Sequence, residues 1–359
     1  MLNERLIKWL SRRVPEQGTN IATALPIILA TDQGLSRVEN QDRVAAMRVN
    51  AISGGSKPFV AIALADGMGG MKDGAGCAIR ALSSFFNALA HHRNASPKER
   101  LELAVHSANN SVNAFSGGYG GATLSALLIC PDEDSLLANI GDSRIYAISG
   151  EDIENNVERL TVDDSLEEAV GGYGRELLQF VGMGDGLKPH VSVVPKEAKR
   201  ILITSDGVHF ISQSTLYDVL LNAPESKQVA DRLGALVRWC GAPDNASLAI
   251  ADLPALGKSL NLTGETGIEL WDPFGALNVI WLKQEPFVDN ISMTLPTKAA
   301  TKPKPNKPQK NIKLSRDSSV RATTSKKPRK PRIIIVKAKD KTADIPFLEF
   351  ELNTESPKK

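Results

Sequence analysis

Four times in the first 250 residues a short apolar run is bounded by an aspartate with a small or turn-forming neighbour. PFVAIALADG ends in Asp66-Gly67, SLLANIGD carries Asp142 after Gly141, RILITSDG ends in Asp206-Gly207, and Asp244-Asn245 stands directly ahead of ASLAIADL. These runs are continuously apolar and too short for surface helices, so they read as buried strands that stop at a turn. A sheet made of such strands must be covered, which requires a layered fold. One aspartate after a strand is ordinarily a turn residue. Several of them at the border of a core are different: carboxylates gathered there repel one another unless positive charge lies among them.

The remaining pattern supports layers. LPIILATDQG and AAMRVNAIS predict two more strands, and residues 74–92 and 98–114 have the spacing of two long helices. ATLSALLIC, SLLANIGD and RIYAIS predict three strands in a meander. A Gly-rich stretch over 163–188 precedes the strands HVSVVP and RILITSDG, residues 213–239 predict two helices, and ASLAIADL closes the pattern. Strands and helices do not alternate strictly, which argues against a doubly wound parallel sheet. The expected class is α/β in the layered α+β sense: a central antiparallel β-sandwich flanked by pairs of α-helices (α-β-β-α), with a disordered basic C-terminal tail.

At 359 residues, 42% apolar and 23% charged, the chain suits one large globular domain with extensions. Residues 1–23 form an N-terminal extension; within it residues 1 to about 20 suit a short amphipathic helix with Leu2, Leu6, Trp9 and Leu10 on one face, either packed on the body or loose. Residues 24–254 are the main domain. Residues 255–295, with Trp271, Phe274, Trp281 and Phe287, are a C-terminal extension of unknown role. Residues 296–332 are a disordered Lys/Pro-rich linker, and 333–359 a terminal segment forming a hairpin or a docking peptide. Between Lys298 and Arg332 there are thirteen Lys or Arg and one acid, so a net charge of +2 conceals an acidic body with a basic tail.

Cys77, Cys130 and Cys240 are widely spaced, which excludes a disulfide framework or a zinc spacing and points to a reducing compartment. No run of eighteen apolar residues occurs, so no membrane span is expected, and the N-terminus lacks the apolar stretch of a signal peptide. The expected location is cytoplasmic. Oxygen-rich sites suit hard cations, so Mg²⁺ or Mn²⁺ is the expected partner of the aspartates, with glycine beside them letting a backbone carbonyl approach.

TDQGLSRVENQD, ADGMGG, GATLSALL, NIGDSRIYAIS, LTVDDS, LITSDGV and PDNASLAI occur in the order and rough spacing of the type 2C metal-dependent (PPM) protein phosphatases. The chain resembles that family, in a bacterial-like variant, over about residues 24–252. The resemblance implies a protein serine/threonine phosphatase with two Mn²⁺ or Mg²⁺ ions and a third, weaker site. It implies that Asp66 bridges the two metals and Gly67 offers its carbonyl to one of them. Asp206 and Asp244 would bind the other metal, Asp42 would hold metal-bound waters, and Asp142 with Asp206 would line the third site. Arg37 would grip the substrate phosphate. Thr123 matches a Gly-Thr-Thr motif and reads as packing. Cations about 3.5–4 Å apart generate a hydroxide near neutral pH, which would attack phosphorus in line with the Ser or Thr oxygen.

Three departures stand out. Gln41 replaces a family Glu, Met68 stands where animal members often have His, and Asp164 replaces the His of Leu-Thr-x-Asp-His-Ser. The flap at about 165–188 is short, which leaves substrate preference open. The histidines form no metal pattern, and Asn94-Ala95-Ser96 and Asn245-Ala246-Ser247 match glycosylation acceptors by chance. Phosphoproteins are the expected partners, together with a cognate Ser/Thr kinase acting on the Ser/Thr-rich tail. The alternatives are a weakly active pseudophosphatase serving as a binding module, and a nucleic-acid-associated protein using the tail. Residues 296–332 hold no aromatic side chain, so base stacking is not expected.

Overall fold

In a computed structural model the described residues are 2–22, 25–50, 58–68, 70–71, 73–149, 157–171, 176–260 and 267–280. The expected tail, 296–332, and the terminal segment 333–359 lie outside them, as do Trp281 and Phe287.

The apolar runs become strands paired throughout in antiparallel fashion. One sheet of six is ordered β1 (Gln17–Ile21), β2 (Ile27–Asp32), β11 (Ala246–Asp252), β10 (Ala198–Thr204), β7 (Arg144–Ser149), β8 (Val157–Arg159). A second, of seven, is ordered β13 (Gly275–Ile280), β12 (Gly267–Asp272), β3 (Asp42–Val49), β4 (Phe59–Asp66), β5 (Leu124–Ile129), β6 (Leu136–Ile140), β9 (His190–Val193). Period-two alternation sorts the side chains of each strand into two layers. Along β4, Val60, Ile62 and Leu64 enter the core between the sheets, whereas Phe59, Ala61, Ala63 and Ala65 face the helices. Both faces being covered explains why the run is apolar without a break.

Helices α2 (Gly74–His91) and α3 (Pro97–Ser116) cover the seven-stranded sheet. Ser96 caps α3 by accepting from the Glu99 amide, Pro97 begins it, and Gly117 ends it in the left-handed region, so a chance glycosylation motif is in fact a helix start. The six-stranded sheet is covered by α5 (Asp206–His209), α6 (Gln213–Asn222) and α7 (Ser226–Trp239), which meet Leu202, Leu248 and Ile250. The order is helices, sheet, sheet, helices, as expected. No helix among the described residues is long and apolar enough to cross a membrane.

Both ends of the folded part contribute more than their sequence promised. Helix α1 (Leu2–Leu10) buries Leu2, Leu6 and Leu10 against the helix-side core. It stops at Leu10, well before residue 20, and residues 17–21 become edge strand β1. Arg12 pairs with Asp272, and the Asn20 amide donates to the Asp272 carbonyl at 2.7 Å. The stretch whose role was unknown supplies α8 (Leu253–Leu260), which sends Leu256 and Leu260 into the inter-sheet core, and the hairpin β12–β13. β12 pairs with β3, and Trp271 is buried between the sheets.

Candidate metal centre

Antiparallel order makes neighbouring strands start and stop alternately at the same edge. At one end of the sandwich β2 and β10 stop while β11 and β7 start; in the other sheet β4 and β6 stop while β3 and β5 start. The connections 33–41 and 141–143 cross between the sheets at that same end. Asp42 and Asp66 face each other in register on β3 and β4. Asp142 lies on a crossing loop, Asp206 begins α5, and Asp244 precedes β11. The Asp66 carboxyl senses the charges of Asp42, Asp206, Asp142 and Asp244. The fold therefore brings the five sequence-predicted aspartates together. Gly67 follows at the end of β4, where its amide donates to the Gln41 carbonyl at 3.2 Å.

The electrostatics are those of an overfull acidic cluster. Loss of water, then the charges of the other four, holds Asp66 well above the ordinary carboxylate range. Burial lifts Asp42 to about 6, opposed by a hydrogen bond from Ser205 Oγ at 2.8 Å and reinforced by Asp206. Burial, then Asp206 and Asp163, lifts Asp142 to about 7. Asp42 is only 2% exposed, yet its Oδ1 has no hydrogen-bond partner. An unsatisfied acceptor of that kind costs about 1–3 kcal/mol unless something positive reaches it.

Arg37 is a cation that faces this cluster. Its Nη2 sits 2.6 Å from Asp244 Oδ2, and that hydrogen bond, followed by the charges of Asp244, Asp206 and Asp66, raises its pKa. Asp32, which flanks Arg37 in sequence, does not join the cluster: Arg238 holds it bidentately at 2.7 and 3.0 Å.

The residues fit an oxygen-seeking divalent ion. Five converging carboxylates and a buried unpaired Oδ1 call for positive charge. Among the described residues no group of three or more His, Cys, Asp or Glu side chains is placed so that it could hold a metal ion by itself. A bound ion would need water and backbone oxygens to fill its shell, as Mg²⁺ and similar hard ions accept.

Several supporting residues gave little sequence signal. Asn245 donates to the carbonyls of Gln33 (2.7 Å) and Glu39 (3.0 Å) and accepts from the Gln41 amide (2.8 Å), so one side chain pins the loop that carries Arg37. Thr123 Oγ1 accepts from the Asp66 amide at 2.9 Å and lies 2.8 Å from Ser143 Oγ, tying the Asp66 strand end to the Asp142 turn. Asp163 binds Arg144 through two nitrogens and Arg159 at 2.6 Å. Asp164 grips Gly141 with both side chain and backbone: its Oδ2 accepts from Gly141 N at 3.0 Å while its own amide donates to the Gly141 carbonyl. Its Oδ1 is 2.9 Å from His190 Nε2, so His190, isolated in sequence, has an acidic neighbour. His209 is held neutral, its pKa depressed by burial and by Arg144 and Arg159. Gly67 and Gly207 are required by close approach, since a Cβ would collide with the carbonyl oxygens of Gly74 and Asn245 respectively.

No protein-family model matches the sequence. Among curated proteins the chain is 29% identical over 250 residues to the serine/threonine protein phosphatase PstP of Mycobacterium tuberculosis, covering 62% of this chain and 44% of PstP. It therefore spans less than half the length of that relative. The catalytic domain of PstP, solved with two manganese ions, matches with a TM-score of 0.50 and 28% identity over 63% of this chain and 96% of the domain. Protein phosphatase PhpP of Streptococcus pneumoniae is 28% identical over 254 residues, 64% of this chain and 98% of PhpP. The PPM Ser-Thr phosphatase MsPP of Mycobacterium smegmatis, solved with cacodylate, matches with a TM-score of 0.52 and 26% identity over 64% of this chain and 99% of MsPP. The sandwich, the aspartates and these likenesses agree: the chain is similar to bacterial phosphatases of the PPM, or type 2C, kind.

Proposed function

We propose that the protein is a metal-dependent protein serine/threonine phosphatase acting on phosphoproteins. The observation that carries this reading is the convergence of Asp42, Asp66, Asp142, Asp206 and Asp244 beside Arg37 at one end of the sandwich. Two Mn²⁺ or Mg²⁺ ions, with a third more weakly held, are the proposed cofactors. Asp66, Asp206 and Asp244, with the Gly67 carbonyl, would hold the pair; Asp42 would orient coordinated water, and Asp142 with Asp206 would serve the third. When bound, such ions supply Lewis acidity and a water whose pKa lies near neutrality.

The chain's own groups do the rest. Arg37 offers a planar fork of donors suited to two phosphate oxygens. Asn245 keeps its loop in place. Ser205 fixes Oδ2 of Asp42 and leaves Oδ1 without a hydrogen-bond partner. No protein nucleophile is needed. The domain that does this is proposed to run from residue 2 to about residue 280, since α1, β1 and β12–β13 complete the layers.

The test is hydrolysis of p-nitrophenyl phosphate and of a phosphothreonine peptide with Mn²⁺. Activity abolished by EDTA, restored by Mn²⁺ and absent in Asp206→Ala supports the reading; equal turnover in Asp206→Ala would refute it. A cytoplasmic location belongs to the same proposal, because a glycan on the buried Asn245 would disrupt the Arg37 loop; cell fractionation checks it. A kinase partner for Ser315, Ser318, Ser319, Thr323, Thr324 and Ser325 is a further part, and mass spectrometry that finds no tail phosphate after co-expression with a cognate kinase would count against it.

A further inference from the structure

Loop 33–41 is fastened tightly yet holds apolar side chains in water. The Gln33 amide donates to the Glu16 carbonyl and the Leu35 amide to the Ala242 carbonyl, both at 2.9 Å. Gln33 Nε2 donates to the Arg37 carbonyl at 2.9 Å, and Gly34 N to Asp32 Oδ1 at 2.8 Å. Asn245 adds three bonds and Asp244 takes the Arg37 guanidinium. In this frame Leu35 is 63% exposed and Val38 100% exposed, on either side of Arg37.

Val38 is fully exposed and Leu35 is mostly so, which leaves both largely outside the loop's own packing. A single exposed apolar residue needs no explanation, but two of them on either side of Arg37 in sequence, on a loop already ordered, offer apolar surface that loses little entropy when covered. Arg37, which lies between them in sequence, pairs with Asp244 of the carboxylate cluster. An extended peptide advances about 3.3 Å per residue, so side chains next to a phosphorylated residue held at Arg37 fall within reach of Leu35 and Val38.

We infer that Leu35 and Val38 form an apolar rim that selects phosphopeptide substrates bearing a hydrophobic side chain beside the phosphorylated residue. The inference rests on the phosphatase reading and adds a substrate class to it. Arg37 anchors the phosphate, and the rim removes apolar surface of the neighbouring residue from water. A phosphorylated small molecule has no such neighbour and gains nothing from the rim.

The experiment uses the full chain with Mn²⁺ and three substrates: p-nitrophenyl phosphate and two phosphothreonine peptides that differ only in leucine or serine flanking the phosphothreonine. Wild type is expected to favour the leucine peptide by about fivefold in kcat/KM, a modest value suited to an open rim rather than a closed pocket. In the double variant Leu35→Ser/Val38→Ser the preference should disappear, while p-nitrophenyl phosphate turnover and the melting temperature stay at wild-type values. Equal use of both peptides by wild type overturns the inference, as does a preference that survives in the double variant. Sedimentation showing a wild-type dimer that the double variant loses would assign the rim to a second copy of the chain instead. Absence of p-nitrophenyl phosphate hydrolysis in wild type would remove the phosphatase reading itself, a failure distinct from a missing peptide preference.

Discussion

Arg37 Nη2 lies 2.6 Å from Asp244 Oδ2, across 207 residues of sequence. The proposed phosphate anchor and a proposed metal ligand thus neutralise each other. Under the proposed function, filling the site would require this pair to open. Both side chains are partly exposed, 43% and 28%, so the pair is worth at most about 1 kcal/mol. Opening it is therefore cheap.

Arg37→Ala is expected to lower kcat/KM by roughly a hundredfold through lost phosphate contacts. The same change frees Asp244 from a competitor, so the Mn²⁺ concentration for half-activation should fall, by no more than about fivefold. Steady-state kinetics across a Mn²⁺ titration reads both. A raised Mn²⁺ requirement would show that Arg37 supports metal binding instead of competing with it.

Asp66→Asn should abolish turnover and, in EDTA, make the protein more stable. Asp66 is the carboxyl most burdened by its neighbours, and amide for acid removes that burden. A melting temperature raised by a few degrees is the expected size for a gain of about 1–2 kcal/mol in a domain this large. With Mn²⁺ the ranking should reverse, because wild type alone gains the full stabilisation of ligand binding. Calorimetry with and without metal decides it.

Stability without metal should decline as pH rises. Asp42 titrates near 6 and Asp142 near 7 in the folded chain, against 3.8 ordinarily. Between about pH 4 and about pH 7 the folded protein then holds more protons than the unfolded chain. Stability contributed by these groups is complete at the acid side of that window and is lost as pH climbs through the folded values, levelling above about 7. Urea unfolding in EDTA should show that slope, and saturating Mn²⁺ should flatten it by taking the place of the protons. Equal slopes with and without metal would argue against carboxylate–metal contact.

Asn245→Ala deletes three hydrogen bonds and leaves the Gln33 and Glu39 carbonyls and the Gln41 amide without their partner. The expected cost is about 2–4 kcal/mol. KM should rise more than kcat falls, because the loop carrying Arg37 loosens while the aspartates stay in place. Chemical denaturation paired with kinetics separates the two effects.

Leu6→Ala tests whether α1 belongs to the domain. Leu6 is completely buried in the helix-side core, so its truncation should cost about 2–5 kcal/mol. An unchanged unfolding midpoint would mean that the N-terminal helix is dispensable.

The layered architecture was readable because burial on both faces writes an unbroken apolar run, as in Phe59–Asp66, and because long helical periods stand between such runs. The edge strands were not. QGTNI in β1 is polar and largely exposed, and its place depends on pairing with β2. The β12–β13 hairpin was visible only as aromatic content; its pairing with β3 is a contact between residues more than 200 positions apart. The candidate aspartates could be named from their place at strand ends, since a chain that must turn there favours Asp and Gly. Asn245 could not, because its partners lie about 200 residues away and an asparagine before a strand looks like any turn residue.

What the chain order alone determined, then, is which residues are buried in strands and that carboxylates border them, because solvent exclusion and turn chemistry act locally. Only the tertiary structure decided that five of those carboxylates meet at one end of the sandwich while Asp32 is drawn off to Arg238. The physical reason is that antiparallel pairing sets which strand ends share an edge, and like charges separated by hundreds of residues influence one another only once packing has removed the water between them.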